Sequence, residues 1–108
     1  MIQTPAHASY EVAIVGGAMY GASVSWWLAR NPDFDGRILV IERDPSYEFA
    51  STTHTNSCIR QQFSADINVR ISQFGAEFIH KFRDFMGGDA RVPEIALHSH
   101  GYMYMAAT

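Results

Sequence analysis

The stretch from Val12 to Ala29 carries no charged residue, and Gly16, Gly17 and Gly21 cut it in two. An unbroken apolar run of this length can span a bilayer as a helix. The four-residue spacing of Gly17 and Gly21 also suits packed membrane helices. The two halves, however, have different characters. Glu11-Val-Ala-Ile-Val15 is short and β-branched and ends at glycine, the pattern of a buried parallel strand. Ala18 to Arg30 has a helical pattern, with Ala22, Trp26 and Ala29 on one face and Val24, Trp27 and Leu28 close by. Asn31-Pro32 stops it, because proline cannot continue the backbone ladder. A strand, a glycine turn and a helix account for the stretch better than one membrane span.

Asp33 to Gly36 is a polar turn, and Arg37 to Glu42 reads as a second buried strand with four apolar residues in a row. Asp44 to Ser64 is loop-like, with Pro45 and a cluster of Ser, Thr and Asn. Asp66 to Met86 then predicts one long amphipathic helix. Ile67, Ile71, Phe74, Phe78, Phe82 and Phe85 share a face, Ser64 or Asp66 caps the start, and Gly87-Gly88 suits the end. Gly101 to Met105 alternates weakly and predicts the start of another strand. Two parallel strands leave both sheet edges open, and a doubly wound sheet needs more of them. The expected class is α/β: a Rossmann-like βαβ unit, a following long helix and an incomplete doubly wound sheet. The chain then reads as the front part of a longer protein.

The turn itself carries the chemistry. Val15-Gly16-Gly17-Ala18-Met19-Tyr20-Gly21 matches the dinucleotide fingerprint, with Gly16 first, Ala18 in place of the second glycine, and Gly21 third. The first position permits a tight exit from the strand. The second must be small, so that a pyrophosphate can approach the backbone. The third lets helix and strand pack closely. The unpaired N–H groups and positive end of the helix then face the phosphates. Glu42 stands 21 residues beyond Gly21, at the end of the second strand. The distance expected for a carboxylate that accepts from ribose hydroxyls is about 20 residues. Such a carboxylate repels a 2′-phosphate, which argues against NADP.

Beyond the turn, Glu42-Arg43, Ala50-Ser-Thr-Thr and Ile59-Arg-Gln-Gln-Phe-Ser64 go further than a generic dinucleotide unit. Together they resemble the D-amino-acid oxidase superfamily of FAD-dependent oxidoreductases. The branch is that of sarcosine and glycine oxidases, dimethylglycine dehydrogenase and related mitochondrial oxidoreductase-like assembly factors. The resemblance runs from about Tyr10 to the end. It implies that residues 1–108 are the N-terminal part of an FAD/NAD(P)-binding domain with the substrate domain largely absent, and that FAD is the cofactor, with Gly16, Gly17, Ala18 and Met19 lining the pyrophosphate and Glu42 on the adenosine ribose with Arg43 beside it. It places Ser51 and Thr52 at the pyrophosphate or ribityl region. Arg60 falls where related amine oxidases hold a substrate carboxylate, a task for a bidentate guanidinium; the alternative is a structural pairing with an acid or a carbonyl.

In dimethylglycine and sarcosine dehydrogenases, a histidine after Ser-Thr-Trp carries covalently attached flavin. Here the run is Ser51-Thr52-Thr53-His54, so His54 reads as an ordinary loop histidine, a flavin contact or a covalent link. The implied reaction is oxidation of a C–N bond in an amine or amino acid, with oxygen or an electron-transfer protein as acceptor. An NAD-dependent dehydrogenase is the alternative enzyme, opposed by the Ser-Thr loop and the Arg-Gln-Gln segment. A non-catalytic flavin-bound assembly protein is the alternative outside catalysis.

The remaining features narrow the field. The 108 residues suit one small domain, and 47% hydrophobic with 18% charged residues is a globular composition. A net charge of −3 and scattered Lys and Arg give no nucleic-acid surface. Met1 to Ser9 has neither the charge nor the apolar core of a secretory signal, so a cytoplasmic or mitochondrial-matrix location is expected. Cys58 alone forms no internal disulfide and has no nearby base that would make it a nucleophile. His98 and His100 alternate like two metal ligands, but no cluster completes a zinc site, and no metal is expected.

Overall fold

The computed structural model of the protein describes residues 4–106. Residues 1–3, the head of the segment read as lacking a secretory signal, lie outside that range. The chain forms two compact units, Met1–Ser57 and Cys58–Thr108. Among the described residues no helix is long and apolar enough to cross a membrane.

In the first unit, β1 (Val12–Val15), α1 (Met19–Arg30) and β2 (Ile38–Ile41) follow one another. The strands pair in parallel, Val12 opposite Ile38 and Val15 opposite Ile41. A parallel pair needs a crossover, and α1 supplies it. Both strands are shorter than expected, since Glu11, Arg37 and Glu42 lie outside the ladder. The expected burial of both sheet faces is not met. Val12 and Ile14 are half-buried, but Val15 is 85% exposed, and Val40 and Ile41 are also open. One crossover helix covers one face only.

The covered face of α1 also differs from the expected one. Gly21 is buried and Ser25 and Leu28 are half-buried, while Ala22 and Ala29 are exposed. The reason is steric. A Cβ on Gly21 would lie 1.8 Å from the Gly16 carbonyl oxygen and 3.1 Å from Ile14 Cγ2. The helix therefore touches the strand at its one position without a side chain. Ser25 and Leu28, one and two turns on, follow onto the same face. Trp26, of the expected face, is also half-buried: it packs edge-on against Trp27 with centroids 4.7 Å apart, and the Arg30 guanidinium lies 4.7 Å above it.

In the second unit, the long helix expected over Asp66–Met86 is two helices, α2 (Asp66–His80) and α3 (Phe82–Phe85). Lys81, at φ −107° and ψ 22°, breaks between them. On an unbroken helix Phe74 and Phe85 would be roughly 16 Å apart along the axis. After the break their centroids are 6.2 Å apart, and Phe78 comes within 4.9 Å of Phe85. Clustering these rings offsets the lost helical bonds. No side chain caps the start of α2: Ala65 is the N-cap, and Asp66 instead pairs with Arg70 at 2.8 Å. The end follows expectation. Gly87, at φ 85°, donates to the Asp84 carbonyl and Gly88 to that of Arg83, a Schellman termination. Arg83 also binds the Val92 carbonyl and the Glu94 carboxylate, holding the following segment against α3.

The strand expected at Gly101–Met105 does not form. Gly101 turns the chain at φ 73°, and no strand lies among the described residues of this unit to pair with it.

The steric reading of α1 sets two glycines apart. Gly21→Ala should destabilise the protein by about 3 kcal/mol or more, because the new methyl meets backbone. Gly75→Ala, where a Cβ meets nothing within 4 Å, should stabilise α2 by about 0.5–1 kcal/mol. Urea midpoints of the two variants check both.

Candidate functional site

The glycine turn and the carboxylate that follows β2 are joined directly. Gly16 leaves β1 at φ 98°, a left-handed conformation that glycine tolerates and other residues rarely adopt. Its N–H donates to the Ile41 carbonyl at 2.7 Å, continuing the ladder one step past the strands. The next N–H, of Gly17, donates to Glu42 Oε2 at 2.7 Å. Glu42 Oε1 accepts from the Asp44 N–H at 2.8 Å. One carboxylate thus ties the turn after β1 to the turn after β2.

These bonds set the electrostatics. The Asp44 amide first, and the Gly17 amide second, hold the Glu42 carboxyl below the usual carboxylate range, because each amide favours the charged form. Asp44 is lowered in the same way by the Ser46 hydroxyl and amide. Glu42 stays anionic at neutral pH, and each of its oxygens keeps acceptor capacity beyond the bond it already makes.

The turn opens onto the start of α1. Ala18 is the N-cap at φ −68° and ψ −163°, and no side chain caps this end. The first N–H groups of a helix have no partner within it, and the macrodipole makes that end positive. A Cβ at Gly16 would meet no atom within 4 Å, so the outer side of the turn is open among the described residues. These are the features a diphosphate requires: donors, positive potential and room to reach the backbone. The residues present therefore fit the diphosphate and ribose of a dinucleotide.

Tyr47 completes the surroundings. Asp44-Pro45-Ser46-Tyr47 is a β-turn, closed by the Tyr47 N–H on the Asp44 carbonyl at 3.0 Å. Tyr47 has φ 56°, a conformation costing about 1–3 kcal/mol in a residue with a side chain. Its carbonyl accepts from the Ala50 N–H at 3.0 Å and from the Thr53 hydroxyl at 2.8 Å. Its phenol oxygen lies 3.0 Å from where a Cβ on Gly17 would sit. In the sequence, Ser and Thr residues mark this loop, and Tyr47 does not stand out among them. The available signal was an aromatic residue directly after an Asp-Pro-Ser turn that begins two residues past Glu42.

The other expected residues are less closely joined. Arg43 is exposed beside Asp44. Ser51, Thr52 and His54 lie on exposed turns, with the Thr53 and His54 N–H groups bonded to the Ala50 carbonyl at 2.9 and 3.3 Å. Their link to the glycine turn runs through Tyr47. Arg60 belongs to the second unit, where its guanidinium lies 5.1 Å above the Phe63 ring. With Gln62, Phe63, Ser64 and Tyr104 it lines an open groove of about 520 Å³. Among the described residues no acidic side chain pairs with it. His98 and His100 face one another at 6.3 Å, and no group of three or more His, Cys, Asp or Glu among the described residues could hold a metal.

A parallel β–α–β arrangement with an open glycine turn is compatible with part of a Rossmann-like unit. The chain is homologous to proteins named for such a cofactor. It is 36% identical over 101 residues to FAD-dependent oxidoreductase domain-containing protein 1 of Xenopus laevis, covering 90% of this chain and 20% of that protein. The Bos taurus protein of the same name is 39% identical over 100 residues, covering 90% and 21%. A Drosophila melanogaster homologue is 30% identical over 96 residues, covering 89% and 18%. The chain thus spans about a fifth of the length of these relatives. No family model matches it, and no solved structure does.

The sign of the Glu42 shift gives a pH dependence. A carboxyl held below its unfolded value stabilises the fold above that unfolded value, and this is lost as pH falls through the folded one. Hydrogen-exchange protection of the Gly17 amide should stay level through neutral pH and collapse below the usual carboxylate range. In Glu42→Ala that protection should be lost at neutral pH as well.

Proposed function

We propose that this chain holds the ADP end of FAD in an oxidoreductase that oxidises a C–N bond of an amine or amino acid. The observation that carries the reading is the uncapped start of α1, open at Gly16, with the Glu42 carboxylate bound to the adjoining amide. The similarity to proteins named as FAD-dependent oxidoreductases supports flavin over nicotinamide. Residues 1–108 are then a portion of an FAD-binding domain, and most of the substrate-binding part lies elsewhere in the whole protein.

In this reading the N–H groups of Ala18, Met19 and Tyr20 bind the diphosphate, and Gly16 and Gly17 let it approach the backbone. Gly21 keeps the helix end aimed there by close packing. Glu42 accepts from the ribose hydroxyls and rejects a 2′-phosphate by charge. Arg43 lies beside it. Ser51 and Thr52 supply hydroxyl donors from the following turn, and His54 contacts the flavin end without a covalent bond. Arg60 takes the substrate carboxylate through two parallel hydrogen bonds. When bound, FAD supplies the two-electron oxidation of the C–N bond; the protein's part is binding, orientation and electrostatics. Oxygen or an electron-transfer protein then takes the electrons.

The intact protein should bind FAD more tightly than NAD, by titration of flavin fluorescence and by calorimetry. Glu42→Ala should weaken FAD about tenfold or more, the scale of a charged hydrogen bond. NAD binding without FAD binding would overturn the assignment. Bound flavin should leave completely on denaturation. It should also be reduced by an amine or amino-acid substrate, and flavin never reduced by any of them would leave a binding or assembly role instead.

A further inference from the structure

We infer that Tyr47 is a second adenosine-binding residue, its phenol hydroxyl donating to a ribose oxygen beside Glu42. This rests on the nucleotide reading above and adds a group that neither the glycine fingerprint nor the acid at its end supplies. The phenol oxygen and Glu42 Cβ lie 3.0 and 3.4 Å from the same point, the Cβ position of Gly17. Tyr47 and Glu42 therefore both border Gly17 in the glycine turn.

Their chemistry is complementary. A carboxylate only accepts, so Glu42 can take the hydrogens of the ribose diol but can give its oxygens nothing. A phenol can donate to those oxygens. Among the described residues no hydrogen bond from this hydroxyl to protein is made, and Tyr47 is exposed, so the hydroxyl is open to a ligand. Tyr47 is also held in place. Its left-handed backbone is fixed by its own N–H on Asp44 and by two donors, Ala50 N–H and Thr53 Oγ1, on its carbonyl. A side chain kept at φ 56° by three hydrogen bonds, with its polar tip left over, is arranged for a ligand. The Ser-Thr turn gains a task as well, because Thr53 positions Tyr47.

A purely packing role is the competing account, in which the ring only covers Gly17. Tyr47→Phe separates the two, since it keeps the ring and removes the hydroxyl. Affinities of the intact protein and of Tyr47→Phe are measured by calorimetry for ADP and for 2′,3′-dideoxy-ADP, with thermal midpoints alongside. The expected result is an ADP affinity about fivefold to tenfold weaker in Tyr47→Phe. Dideoxy-ADP should bind both proteins equally, and the midpoint without ligand should not change. Equal losses for the two nucleotides, or no loss for either, would overturn the role of Tyr47 while leaving the nucleotide site standing. Failure of the unsubstituted protein to bind either ADP or FAD would overturn the nucleotide reading and this inference with it.

Discussion

In the first unit the main constraint is a contact that leaves no space for a methyl group. The Gly16 carbonyl and the Gly21 backbone approach so closely that any side chain at position 21 would collide with the strand end. That approach sets the crossing of α1 over β1 and selects the helix face that is covered. It also aims the helix's first N–H groups at the open side of the turn. Burial contributes little to this geometry, because the sheet has one covered face and much apolar surface remains exposed. Local sterics and a few hydrogen bonds define it instead.

Glu42 is the second element of that definition, and its roles are linked. The same carboxylate that binds the Gly17 and Asp44 amides is the group proposed above to take a ribose. An anion with two amide donors is already oriented before a ligand arrives, so less ordering is needed on binding. The Asp-Pro-Ser turn extends this organisation to Tyr47, and Tyr47 extends it through Thr53 to the Ser-Thr segment. A chain of short-range bonds, each spanning a few residues, carries the arrangement from the glycine turn into a loop without regular structure.

The second unit is built differently. Its stability comes from aromatic clustering, for which the helix is interrupted at Lys81. Even so, Ile67, Ile71 and Phe74 remain largely exposed along α2. The covered side of that helix is instead the row of Val69, Ser72, Ala76 and Ile79, of which Ala76 is the most buried.

The sequence by itself determined the order of elements in the first unit, the position of the turn at Gly16 and the carboxylate facing it. Each is written in local chemistry: β-branched residues before a glycine, a helical pattern after it, and an acid one crossover later. The end of α3 was legible for the same reason, since paired glycines encode a Schellman termination. Tertiary structure alone decided what depends on neighbours. It covered Gly21, Ser25 and Leu28 and left Ala22 and Ala29 of the expected face exposed, because distance of approach outweighs hydrophobicity there. It broke the long helix, because Phe85 gains more from Phe74 and Phe78 than from continuing the backbone ladder. It left Gly101–Met105 unpaired, because a strand is stable only beside another. It brought Tyr47 onto the glycine turn, because a left-handed residue reverses the chain in a way that no periodic pattern records.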